Sequence, residues 1–167
     1  MPTINIDHPE WDQFVHEHLT PGIHAGALFL TWHGDYVARF HRLMNTLPPN
    51  IGQPKPADVA PWLKIPNRLK RTRTWVAEAS DLQNREDKLQ NSIQTFKTLE
   101  ELAGHIVPLH NAMHRAAEEA YNEPHIANIV NAPRSTYFWR LHGLVETWHQ
   151  AWIASQPAST SPGTATS

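Results

Sequence analysis

Two histidines four residues apart, His110 and His114 in "LHNAMH", are the clearest chemical signal in this chain. On a helix that spacing projects both imidazoles from one face, which suits two ligands of one metal ion. It equally suits a solvated face or a pair of core histidines. The spacing is that of the zinc-peptidase pattern H-E-x-x-H, but Asn111 stands where the general-base Glu belongs, so a metallopeptidase is a poor reading. Three more histidines, His18, His24 and His33, lie in "WDQFVHEHLTPGIHAGALFLTWHGDYVARFH" on a helix end, a loop and a following helix. Helices joined by a short connection pack antiparallel, so residues near the turn can converge. His142 lies in "FWRLHGLVETWHQAW", on an aromatic stripe with Phe138, Val145 and Trp152. Alone it reads as a core histidine bonded to a carbonyl, and it gains value only from the others.

The chain has 167 residues, twelve of them His and seven Trp, with no Cys and a net charge of −2. The length suits one domain with a real core. Lacking Cys, it has no disulfide, thiolate nucleophile or Cys-ligated metal. Chemistry therefore falls to histidines, carboxylates or a bound cofactor. The charge argues against nucleic acid as a partner, and no apolar run approaches the roughly 18 residues of a membrane span. The N-terminus, MPTINIDHPEW, shows neither a basic nor an apolar signal region, so the expected location is the cytoplasm.

The elements that must position these groups are helices separated by prolines. Candidates run from Pro9 to about Leu19 and from about Ala25 to Thr46. A connector follows with six prolines in twenty residues, LPPNIGQPKPADVAPWLKIP. A polar segment from Arg68 to about Gln94 reads as an exposed helix. Leu99 to Tyr121 is helical but is expected to bend or restart at Pro108. Arg134 to Ala154 forms a last, aromatic-rich helix. The fold expected is all-α, a compact bundle of four or five helices in a single domain, 1–154. The Ser/Thr/Pro-rich tail, 155–167, is expected to be disordered. The basic stretch "KIPNRLKRTR" reads first as a solvated face or partner surface, since no aromatic residue interleaves it.

Taken together, these stretches resemble the tyrosinase family of coupled binuclear copper proteins, which includes catechol oxidases, o-aminophenol oxidases and the molluscan hemocyanins. "WDQFVHEH" is similar to the family's "YDEFVxxH" helix, which puts the first ligand at His18 rather than His16 or His8. His24 and His33, with "FLTWHGDYVARFH", follow its His-x8-His stretch. "LHNAMH" matches "LHNxxH", and "STYFWRLHGLVETWHQAW" follows "DPxFWLHHxxxDxxWxxW" with His142 in the ligand position. The resemblance covers about Trp11 to Leu43 and Leu109 to Trp152. It implies that His18, His24 and His33 bind one copper and His110, His114 and His142 the other. Neutral imidazoles suit copper in both oxidation states. Three per metal leave an open face for O2.

The chain departs from the family pattern in several places. It is much shorter than familiar members. Gly34 replaces an Arg after the third ligand, and His41 an acidic residue. Ser135-Thr136 replace Asp-Pro, Leu141 replaces the other His of a pair, and Glu146 replaces an Asp. In the family an Asn after the first ligand of the second copper holds a catalytic water with an upstream Glu. Asn111 and Glu101 take those positions, with Glu100 as the substitute. A helix cap and an exposed first-turn Glu are their plain alternatives. Arg115 falls where the family often places a substrate-entrance residue, unless it is only a surface arginine. His41, His105, His125 and His149 have no ligand position.

The function this resemblance implies is O2-dependent oxidation of a small phenol, o-diphenol or o-aminophenol to a quinone or quinone-imine. Ortho-hydroxylation of a monophenol is added if Asn111 and Glu101 hold the base water. Two alternatives stand beside it: a dioxygen- or copper-binding protein with a hemocyanin-like site but no turnover, and a helical binding module with structural histidines. A homodimer would bury aromatic surface that the shortened connector exposes. A separate copper-delivery protein is a further partner left open.

Overall fold

A proline and a histidine start the first helix of the computed structural model, which describes residues 2–157. The α1 helix (Pro9–His16) places Pro9 at its first turn and is capped by His8, whose Nδ1 accepts from the Glu10 N–H at 3.2 Å. Pro at that position loses no hydrogen bond, because the first N–H groups of a helix have no internal partner. His8 is thereby a cap, and His16 points to solvent at the end of the same helix. A 3-10 turn (Glu17–Leu19) then carries His18 inward.

The α2 helix (Gly26–Thr46) has no cap of its own; the Glu100 carboxylate, from another helix, accepts from the Ala27 N–H at 3.0 Å. Gly26 sits at φ +62° against that carboxylate, a conformation that costs glycine nothing. Three short helices follow the proline connector: α3 (Asn67–Lys70), α4 (Arg73–Val76) and α5 (Ala79–Asn91). Here the structure corrects the expectation of one exposed helix. Thr72 ends the first piece and caps the second, and Leu69, Trp75, Leu82 and Leu89 turn inward onto α6 (Leu99–Tyr121). The basic stretch is spent on this packing: Lys70 pairs with the buried Glu86, and the Arg68 guanidinium lies 5.0 Å over the Tyr121 ring.

The α6 helix also differs from expectation, since it runs unbroken through Pro108. The carbonyl that Pro108 cannot bond belongs to Gly104, which is exposed and has nothing within 4 Å of where a Cβ would stand, so water and open space absorb the defect. Asn122, in the left-handed region at φ 50°, ends the helix. After a loop, α7 (Thr136–Ser155) begins at a Ser135 cap. The N-terminal segment is tied down beside it by Ile4 N–H to the Arg134 carbonyl and Thr136 N–H to the Pro2 carbonyl.

The fold is all-α. Helices α2, α6 and α7 pack on one another around one hydrophobic cluster, with α1 and α5 completing a bundle of five helices of eight or more residues. Among the described residues there is no strand, only an isolated bridge between Thr3 and Ser135. Aromatic stacking fastens α1 and α7 to α2: Phe14 lies 4.3 Å from Tyr36 and Phe40 lies 3.9 Å from Trp139, centre to centre. No described helix is long and apolar enough to cross a membrane. The expected disordered tail begins inside the end of α7, and positions 158–167 lie outside the described residues.

Candidate metal centre

His33 on α2 and His142 on α7 stack face to face at the centre of the bundle, 4.6 Å apart and 13° from parallel. Around them the six histidines gather as two triads, His18 with His24 and His33, and His110 with His114 and His142. Each triad draws on a hairpin or helix pair, as the spacing of its members requires. His18 comes from the turn after α1, His24 from the loop, and His33 from two turns into α2. His110 and His114 share one face of α6, and His142 reaches them from α7.

The six rings turn Nε2 inward. In the second triad the Nε2 atoms are separated by 2.9, 3.2 and 3.3 Å; in the first, His18 Nε2 lies 3.1 Å from that of His24 and 3.4 Å from that of His33. Three nitrogens held about 2.0 Å from one ion, at trigonal or tetrahedral angles, lie about 3.3–3.5 Å apart. The separations of 2.9–3.4 Å reach the lower end of that range, and the ligand atoms of each triad all lie within 4.8 Å of one another.

The outer nitrogens settle the tautomers of most of these rings. His18 Nδ1–H donates to the Ile129 carbonyl at 2.9 Å, His33 Nδ1–H to the Phe29 carbonyl at 2.8 Å, and His114 Nδ1–H to the Ile126 carbonyl at 2.6 Å. A carbonyl can only accept, so in each neutral ring the proton sits on Nδ1 and Nε2 presents a lone pair. His110 Nδ1 meets Asn111 Oδ1 at 2.9 Å in the same sense. Lone pairs crowded at these separations repel unless a cation lies between them. Outer partners of this kind orient metal ligands. His24 and His142 differ: among the described residues no hydrogen bond holds the outer nitrogen of His24, and His142 Nδ1 is buried without a partner.

Burial keeps these rings neutral. Desolvation pushes His18 and His114 down to about 4, and holds His33, His110 and His142 well below the ordinary imidazole range. A neutral imidazole is the form that binds a metal. Phe29 and Phe138 wall the triads off from water, Phe29 lying 4.9 Å from His33 and 4.8 Å from His110, Phe138 5.1 Å from His18 and 4.2 Å from His142. Among the described residues no carboxylate joins either triad.

One side of the centre opens into a pocket of about 320 Å³, lined by His18, His24, His110 and His114 and walled by Ile126, Ala127, Ile129 and Ala132. Asn111 and Arg115 stand at its edge. Glu101 does not. It is exposed in the first turn of α6, where its carboxylate accepts from the Lys97 N–H at 2.9 Å and its own N–H donates to the Thr98 cap. Ten residues along an unbroken helix place it about 15 Å from Asn111. Glu100 is likewise engaged, at the start of α2. The paired Asn–Glu arrangement expected from the sequence is therefore not assembled.

The residues that sequence reasoning missed are Ile126 and Ile129, whose carbonyls hold one histidine of each triad. Every residue carries a carbonyl, so no side-chain pattern could have marked them. Comparison of the chain with protein-family models, curated proteins and solved structures returned no match.

Proposed function

We propose that the two triads hold a pair of copper ions and that the protein uses O2 to oxidise a small o-diphenol or o-aminophenol to a quinone or quinone-imine. The observation that carries this reading is the convergence of six imidazoles, four of them anchored through their outer nitrogen, into two adjoining triads with no carboxylate among the described residues in either. Oxygen-rich sites suit magnesium, calcium or manganese, whereas an all-imidazole set suits zinc, iron, nickel or copper. Two divalent ions buried with uncharged ligands would leave a large uncompensated charge. Copper, which also exists as a monovalent ion, relieves that burden. The resemblance of the histidine stretches to the tyrosinase family points the same way.

Copper, when bound, would supply the electron transfer to O2 that no side chain here can perform. The chain's own residues do the rest. The carbonyls of Phe29, Ile126 and Ile129 fix three imidazoles in the ligating tautomer. Phe29 and Phe138 exclude water from the triads. The pocket, about 320 Å³ with Ile126, Ala127, Ile129 and Ala132 among its lining, has room for a single aromatic ring beside the histidines. Asn111 spends its Oδ1 on His110 and keeps its amide N–H groups for a substrate oxygen or a water. Without Glu101 beside it, Asn111 is half of the arrangement expected for deprotonating a monophenol. The reading therefore centres on oxidation of substrates that already carry two ortho groups.

The test is copper content by mass spectrometry, together with O2 uptake and quinone absorbance during addition of catechol or o-aminophenol. Two coppers per chain with O2 consumption matched to quinone formation is the expected result. Stoichiometric copper with no O2 uptake would leave a dioxygen- or copper-binding protein. Failure to bind copper at all would overturn the proposal.

A further inference from the structure

Two oxidisable side chains, Trp32 and Tyr36, pack against the first triad, and their surroundings differ. The Trp32 ring meets His33 edge to face at 4.9 Å and lies 6.1 Å from His18, beside two of the three candidate ligands. It stacks on Tyr36 at 4.4 Å, and Tyr36 in turn lies 6.1 Å from His18. Tyr36 is fully buried, and its hydroxyl donates to the Phe14 carbonyl. Trp32 is half-buried and lies outside the pocket lining. Among the described residues its indole N–H has no protein acceptor, yet it is not shut away from water as those of Trp11 and Trp148 are.

A phenol gives up an electron readily only when its proton leaves with it. A backbone carbonyl accepts a hydrogen bond but does not take the proton. Tyr36 is therefore a dead end, whereas Trp32 has water at its N–H. The rings packed on the second triad are Phe29 and Phe138, which resist oxidation. Trp139, beyond Phe138, commits its N–H to the Pro133 carbonyl. The stacked His33–His142 pair joins the two triads, so an electron deficit in either has a path of touching rings to Trp32.

We infer that Trp32 is a redox exit: an oxidising equivalent left at the metal centre with no substrate in the pocket draws its electron from Trp32 rather than from a ligand histidine. The indole loses one electron inward through the His33 or His18 ring and one proton outward to water. A one-electron reductant in solution, such as a phenol or ascorbate, returns both. With hydrogen peroxide as oxidant and no such reductant, the indole is consumed instead. It loses two electrons and two protons and takes its new oxygen from water, while one peroxide accepts them and becomes two waters. This rests on the copper reading and is independent of which substrate the pocket takes.

The test adds hydrogen peroxide to the wild-type protein loaded with copper or with zinc, which has no redox chemistry, and maps oxidised residues by peptide mass spectrometry. With copper, Trp32 is expected to gain oxygen several-fold faster than any other tryptophan; with zinc, that preference should vanish. Freeze-quench EPR of the copper protein should show an indole radical that is missing from Trp32→Phe. That variant keeps a ring against His33, and in it oxidation of His18 and His33 and loss of copper should quicken several-fold. Trp32 modified no faster than the other tryptophans, or as fast with zinc as with copper, overturns the inference. So does oxidation concentrated on His24 and the pocket wall, the mark of radicals diffusing from the site, or a Trp32→Phe protein whose ligands fare no worse. The two readings fail separately. Copper-dependent oxidation of Trp32 without oxidation of any catechol removes the oxidase and keeps the exit. Catechol oxidation with Trp32 untouched by peroxide removes the exit and keeps the oxidase. A chain that binds no copper loses both.

Discussion

Gly34 on α2 faces Glu146 on α7 so closely that a Cβ at position 34 would overlap the Glu146 carboxylate, with its Cδ only 2.9 Å away. Glu146 lies one turn beyond His142, and Gly34 directly follows His33. The two positions depart from the tyrosinase pattern in type, and the structure shows that they meet. The carboxylate also accepts from Gln150 at 2.7 Å and faces His149 Nδ1 at 3.3 Å. One enlarged residue and one shrunken residue thus fill a common space behind the stacked His33–His142 pair.

That contact predicts coupling between the two positions. Gly34→Ala gains about 1 kcal/mol of helix propensity. In the wild type it also forces Glu146 off Gln150 and His149, which consumes the gain. In a Glu146→Ala background the space is free and the gain should appear. Denaturant unfolding of the single and double variants should give a coupling energy of about 0.5–3 kcal/mol. Strict additivity would show that the carboxylate moves aside at no cost.

The loop between α6 and α7 carries a second prediction. Ile126 and Ile129, three residues apart, accept from His114 and His18, so one short backbone segment anchors one ligand of each triad. Filling the triads should therefore hold the loop. Amide hydrogen exchange at residues 126–131 is expected to slow when the protein is loaded with metal, while α5, remote from the triads, stays unchanged. Equal protection with and without metal would mean that the loop is fixed by packing alone.

Acid should destabilise the metal-free protein in a defined window. His18 and His114 are held down to about 4 by burial, against an ordinary 6.5 in the unfolded chain. Between these values the unfolded chain binds protons that the folded one refuses, so stability falls as pH drops from about 6.5 to about 4. Each group contributes on the order of 3 kcal/mol across that span. His18→Gln should flatten the slope measured by thermal unfolding at stepped pH. A slope unchanged by that substitution would assign the acid sensitivity to other groups.

How much of this was legible in the sequence follows from which atoms do the work. Ligation asks for a residue type, and helices convert spacing into direction, so His110 and His114 could be read from the chain as a candidate pair, while His142 and the grouping into two triads came from the resemblance. The choice of His18 over His8 and His16 needed the resemblance, and the geometry agrees: His8 caps α1, His16 faces solvent, and His18 is buried in the triad. Backbone carbonyls leave no such trace. The breaks at Arg71–Thr72 and Ala77–Glu78 were hidden because each short helix is stabilised by its own apolar residue on α6 rather than by local propensity. Glu101 was misplaced because its assignment rested on the resemblance's spacing upstream of His110, and along the unbroken α6 that spacing carries it away from Asn111 to the helix start.

Glu101 then makes a clear prediction about what it is not. Its carboxylate accepts from the Lys97 N–H beside the Thr98 cap, a reciprocal arrangement that closes the start of α6. Glu101→Ala should cost about 0.5–2 kcal/mol of stability, the range for a lost cap interaction. It should leave metal content and the pH profile of catechol oxidation as they are. Asn111→Ala should do the opposite. It frees His110 Nδ1 and removes the donors at the pocket edge, so metal affinity should fall by roughly 10- to 100-fold, as for other residues that orient a ligand, with a smaller effect on folding because Asn111 is exposed. Thermal unfolding and competitive metal titration of the two variants would separate these effects. A Glu101→Ala protein of normal stability with an altered catechol profile would return the carboxylate to the site and mean that α6 opens at Pro108 during turnover.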